Sequence, residues 1–159
     1  CLAVAERFEG HAPDVSPTIA IDGFRMGCAY GNADACVKLG ERYEHLDDRA
    51  ATWPTDQYPH DPARAAVLFE RACTISKLVG CIAYARAILK GYAETPNPQK
   101  ATNLLTKLCE TADAPAYGQA CYEVAPLKTG DSSQYYLSRA CQLGVTAACD
   151  RLREPRSGD

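Results

Sequence analysis

The sequence contains no run of five like charges, no apolar stretch approaching 18 residues, and only one tryptophan and one methionine among its 159 residues. With 17 basic residues against 20 acidic and a net charge of -3, the chain offers little footprint for nucleic acid or an anionic membrane. The missing apolar stretch excludes a single helix that spans a bilayer. No succession of basic, apolar and small residues opens the chain, so it reads as a mature or trimmed segment without an intact secretory leader. Catalytic and metal motifs are missing too: there is no Cys-x-x-Cys, no Gly-x-Ser-x-Gly, and no glycine-rich loop ending in Gly-Lys-Ser/Thr.

What the chain has in excess is cysteine, nine in all, within a composition that is 47% apolar and 23% charged and can therefore bury a core. Three pairs share one separation of eight residues: Cys28 with Cys36, Cys73 with Cys81, and Cys141 with Cys149. A fourth, Cys109 with Cys121, is twelve apart, the surplus falling in the polar, proline-containing stretch from Thr111 to Ala120, which reads as a lengthened turn.

Alignment on the first cysteine of each pair exposes a helix face upstream. Eight, five, four and one residues before it stand Ala20, Gly23, Phe24 and Gly27; Ala65, Leu68, Phe69 and Ala72; Ala101, Leu104, Leu105 and Leu108; and Ser133, Tyr136, Leu137 and Ala140. That spacing is one side of an α-helix. Its start is marked by Ser16-Pro17, Asp61-Pro62 and Asn97-Pro98, each a side-chain acceptor for the helix N-cap followed by proline at the first helical position. Downstream of the second cysteine a second face appears at three, four and seven residues, as in Leu39, Gly40 and Tyr43 or Tyr84, Ala85 and Ile88. Gly31 and Gly144 suit the left-handed position that ends a first helix. The run from Cys1 to Glu9 parallels Cys36 to Glu44, so Cys1 reads as the second cysteine of a copy whose first helix is absent, leaving it unpaired. A lipidated N-terminal cysteine is the rival reading.

Segments such as Ala65–Cys73 and Tyr135–Cys149, with their Ala-Cys-x7-Cys spacing, resemble the Sel-one-like repeat, a relative of the tetratricopeptide repeat. They are similar more narrowly to its disulfide-bearing branch, the Helicobacter cysteine-rich proteins and their bacterial relatives. The resemblance covers almost the whole chain. It implies an all-α, right-handed α-solenoid of antiparallel helix hairpins, one domain over 1–159 with repeats at about 1–15, 16–60, 61–96, 97–128 and 129–159. Two departures stand out. Pro126 stunts the helix after Cys121, and the second copy carries about ten surplus residues within 44–60.

On this reading the four pairs are disulfides, Cys28–Cys36, Cys73–Cys81, Cys109–Cys121 and Cys141–Cys149, each joining the end of one helix to the start of its partner. Buried free thiols are the alternative, against which the recurrence of one spacing argues. Disulfides imply an oxidising compartment, periplasmic or secreted.

The family's association with weak β-lactam binding or hydrolysis directs attention to Lys128-Thr129-Gly130, which matches one of three serine β-lactamase motifs; no Ser-x-x-Lys or Ser-Asp-Asn accompanies it, and Thr129 falls where the other copies place a helix cap. His11, His45 and His60 lie in connections without helical metal spacing. The reading assigns no catalytic residue, cofactor or metal, and expects a scaffold that holds a protein, a peptide or an envelope component such as a peptidoglycan element. A β-lactam- or peptidoglycan-peptide-binding protein or hydrolase is the alternative.

Three sets of residues are candidates for contact with a partner. Trp53 and Tyr58 lie in the long connection and either anchor a partner or fold back over a helix pair. By analogy with tetratricopeptide repeats, positions ten, seven and three before each first cysteine line a groove, including Arg25, Glu70, Gln99, Thr102, Thr106, Gln134 and Ser138. Arg71, Lys107 and Arg139, two residues before a cysteine, form either a basic stripe for an acidic ligand or a complement to the helix dipole.

Overall fold

A computed structural model describes residues 17–44, 60–76, 78–93, 97–111 and 114–153. These form eight α-helices and, among the described residues, no strand. The helices are α1 (Pro17–Ala29), α2 (Ala33–Glu44), α3 (Pro62–Ile75), α4 (Val79–Leu89), α5 (Pro98–Thr111), α6 (Gly118–Val124), α7 (Gly130–Gln142) and α8 (Thr146–Arg153). They fall into two compact units that divide between Asn97 and Pro98. Residues 1–16, including Cys1 and His11, and residues 45–59, including His45, Trp53 and Tyr58, lie outside the described residues.

Helices begin where the prolines predict, at Pro17, Pro62 and Pro98. At α3 the cap is complete: the Asp61 carboxylate accepts a 2.9 Å hydrogen bond from the Arg64 backbone N–H, satisfying one of the four donors a helix start leaves open. Thr129 also occupies the N-cap position, of α7, but its side chain makes no capping bond, and the helix opens instead on Gly130 at φ 55°.

Gly31 and Gly144 sit at φ 83° and 91°, as expected, and Gly91 does the same at 77°. All three terminate their helices with one hydrogen-bond pattern. The glycine N–H bonds to the carbonyl three residues back, and the next residue's N–H to the carbonyl five back, as in Gly31 to Cys28 and Asn32 to Gly27. This leaves fewer orphan carbonyls and turns the chain sharply. Asn32 then caps α2, its Oδ1 accepting from the Ala35 N–H at 2.9 Å.

Each first helix buries the face read from the sequence. Phe24, Phe69, Leu105 and Leu137, all four residues before a cysteine, are buried, as are Gly27, Ala72, Leu108 and Ala140. The residue five before is only half-buried in Gly23, Leu68 and Leu104, but buried in Tyr136. The second helices bury Leu39, Gly40, Tyr43, Tyr84, Ala85 and Ile88.

Paired helices approach closely because small residues flank the cysteines. A Cβ on Gly80 would collide with the backbone of Ala72 and Cys73, and one on Gly27 would stand 2.7 Å from the Ala35 Cβ. Glu70 lies three residues before Cys73 and Tyr84 three after Cys81. The Tyr84 hydroxyl donates to the Glu70 carboxylate at 2.7 Å, the register of an antiparallel hairpin. Successive hairpins of the first unit interlock where the Phe69 ring lies over Gly40, its Cε1 being 2.5 Å from where a Cβ would be.

The third hairpin departs as expected. A 3-10 turn over Pro115–Tyr117 precedes α6, which ends after Val124 and gives way to a second 3-10 turn over Ala125–Leu127. Pro126 has no N–H to continue the α-helical ladder.

Candidate partner-binding surface

The covalent frame of the surface is four disulfides, Cys28–Cys36, Cys73–Cys81, Cys109–Cys121 and Cys141–Cys149, whose Cα atoms are 4.2 to 4.8 Å apart. Closing loops of this size removes about 2.5 to 3 kcal/mol of chain entropy from the unfolded state for each bridge.

Arginines tie each of two first helices to the one before. The Arg71 guanidinium donates to the Ala29 carbonyl at 3.3 Å, and Arg139 Nε donates to the Cys109 carbonyl at 3.1 Å. Both carbonyls belong to the last turn of the preceding first helix, where the macrodipole is negative. The basic residues therefore do serve a helix dipole, but a neighbour's rather than their own. These two arginines are engaged in the frame, which removes them from a free basic stripe.

Lys107, at the same register, is exposed and lines a shallow recess of about 410 Å³ with Asn103, Thr106, Glu110 and Thr111. The Tyr136 hydroxyl donates to Glu110 at 2.7 Å. Stabilisation of the protonated phenol by that bond, assisted by burial, pushes the Tyr136 pKa up to about 12.

The candidate groove residues fall in both units. In the first unit, Arg25 pairs with Asp22 at 3.1 Å on an exposed face, and Glu70 is exposed while bonded to Tyr84. In the second unit, Gln99 donates to the Asn103 side chain at 2.8 Å and the Thr102 hydroxyl to the Pro98 carbonyl at 2.9 Å. Thr106 enters the recess, and Gln134 and Ser138 are half-buried on α7. The position seven before a cysteine is core in the first unit, where Ile21 and Ala66 are 1% and 3% exposed. The borrowed groove register is corrected there: that stripe packs inward.

The long connection leaves and re-enters the fold at braced feet. The Asp61 N–H donates to the Tyr43 carbonyl at 2.9 Å, Arg64 lies 4.5 Å over the Tyr43 ring, and Lys90 pairs with Glu44 at 2.6 Å. None of these residues stood among the sequence candidates, although Tyr43 and Asp61 bound the surplus segment.

Lys128-Thr129-Gly130 forms the entry to α7, with the Lys128 ammonium 5.8 Å from the centre of the Tyr136 ring. His60 is exposed. Among the described residues no group of three His, Cys, Asp or Glu could hold a metal ion, and no helix is long and apolar enough to cross a membrane. Comparison of the chain with models of known protein families, with curated proteins and with solved structures gives no match.

Proposed function

We propose that this protein is an interaction scaffold of the disulfide-bearing Sel-one-like type, a right-handed α-solenoid that works in the periplasm or outside the cell and holds a protein or peptide, as part of a cell-envelope assembly. The observation that carries this reading is the connection between Tyr43 and Asp61. It departs from a frame of hairpins each locked by a local disulfide, and its two ends are hydrogen-bonded to each other. Long connections tend to be either functional or linkers, and this one holds the sole tryptophan, Trp53, with Tyr58 nearby, which favours the first. Aromatic side chains of this kind are favoured interface anchors.

The disulfides support the compartment, since such bonds persist where the surroundings are oxidising. They also support the role. A frame braced at every hairpin presents its surface with little ordering cost on binding.

The test is capture from envelope extract under oxidising conditions by the full chain, by a Trp53→Ala/Tyr58→Ala variant and by a Lys107→Ala variant. A specific partner retained by the full chain and lost by the aromatic variant supports the reading. Equal retention by the aromatic variant with loss in Lys107→Ala moves the contact to the recess on α5. Nitrocefin turnover by the purified protein above a heat-killed control would instead favour a hydrolase.

A further inference from the structure

Cys141–Cys149 differs from the other bridges in its surroundings. Cys28, Cys36, Cys109 and Cys121 are buried, and so is Cys81, opposite the half-buried Cys73; only in Cys141–Cys149 do both cysteines reach solvent. The helix that this bridge holds is also the least embedded. Along α8 only Ala148 is buried, whereas α2 buries seven residues and the shorter α6 buries four. Thr146, Ala147, Asp150, Arg151, Leu152 and Arg153 are all exposed. An eight-residue helix has almost no stability of its own.

The turn before α8 is secured separately. Gly144 and Val145 donate to Cys141 and Ala140, and Leu143 and Val145 press on Gly118, each within 3.0 Å of where a Cβ would stand. Beyond that turn α8 is held by the disulfide, by Ala148 against the hairpin, and by Arg151 at 5.9 Å from the Tyr122 ring.

We propose that Cys141–Cys149 is a redox-labile bridge that a dithiol reductant opens while the other three stay closed, releasing α8 and uncovering the side of α7 on which it packs. A thiolate of the dithiol attacks one of the two sulfurs, forming a mixed disulfide and expelling the other cysteine as thiolate. The second thiolate of the reductant then displaces the remaining cysteine. Two electrons pass to the protein, the two cysteine thiolates take up protons, and the reductant leaves as its cyclic disulfide. Access favours this bridge because the attacking sulfur must reach along the S–S axis: burial blocks both sulfurs of Cys28–Cys36 and Cys109–Cys121 and leaves one approach, through Cys73, at Cys73–Cys81, whereas both ends of Cys141–Cys149 are open to it.

The experiment is a dithiothreitol titration of the intact oxidised protein, with free thiols alkylated at each step and located by mass spectrometry, alongside hydrogen exchange of α8. Cys141 and Cys149 should become alkylated at a reductant concentration about tenfold below that needed for the other six bridged cysteines. Exchange of the α8 amides should then accelerate about tenfold or more while α5 and α7 keep their protection. The Cys141→Ser/Cys149→Ser variant should show the same fast α8 without reductant. Opening of any other bridge first, simultaneous opening of all four, unchanged α8 protection once its bridge is broken, or loss of protection throughout α5 to α7 in the variant would each overturn the proposal.

Discussion

The backbone N–H of Asp61 donates to the carbonyl of Tyr43 at 2.9 Å, so the two ends of the longest connection are neighbours in space. The same aspartate caps α3 through its side chain, and Arg64, whose N–H it holds, lies over the Tyr43 ring. One residue thus closes the loop and starts the next helix.

Replacing residues 45–59 by a few glycines and serines should therefore leave the helical circular dichroism nearly unchanged. If Trp53 and Tyr58 anchor the partner, binding should weaken by roughly 2 to 4 kcal/mol, as loss of aromatic hot spots does. Collapse of the fold on deletion would show that the segment packs as structure, and contact with a partner would then be sought on the first helices.

Two caps with the same sequence logic should respond differently to alanine. Asp61→Ala removes an observed capping bond and should cost about 0.5 to 2 kcal/mol in denaturant melts. Thr129 holds the same position on α7 without such a bond, and Thr129→Ala should change stability by less than about 0.5 kcal/mol. Equal losses would mean that the two helix starts are alike in solution.

Gly80→Ala tests the close approach of paired helices. Its methyl group would meet the Ala72 backbone, which cannot turn aside as a side chain could. The variant should lose about 1 to 3 kcal/mol, read as a lower unfolding midpoint with the disulfides intact. Gly31→Ala would probe a different cause, the φ of 83° in otherwise open space.

The bond between Tyr136 and Glu110 predicts a late phenol titration. Because the folded pKa is raised from 10.0 to about 12, folding favours the protonated phenol. The associated stability is fully present below pH 10 and is lost as pH rises through about 12. Phenolate absorbance should show a step near pH 12 that Tyr136→Phe removes. Persistence of that step in the variant would assign it to another tyrosine.

The helix faces, the proline starts and the glycines after Cys28 and Cys141 were legible in the sequence because each is a local rule repeated at one offset. Gly91 obeys the same rule at the end of α4, a second helix, where no cysteine stands three residues before the glycine to mark the offset. The reach of Arg71 to Ala29 and of Arg139 to Cys109 was not legible, since it depends on where the preceding helix ends in space. The groove register failed at Ile21 and Ala66 for the same reason: periodicity gives the faces of one helix, not which of them a neighbour covers. The recess on α5 combines Thr106, read as groove-facing, with Glu110, which lies beyond Cys109, where the upstream offsets do not reach.

The frame rests on hairpins locked by local disulfides, and peptide mapping by mass spectrometry without reduction tests that arrangement most directly. Protein purified from its native compartment should yield Cys28 joined to Cys36, Cys73 to Cys81, Cys109 to Cys121 and Cys141 to Cys149. Eight free thiols in that protein, or bridges joining cysteines of different hairpins, would contradict both the locked frame and the oxidising compartment proposed for it.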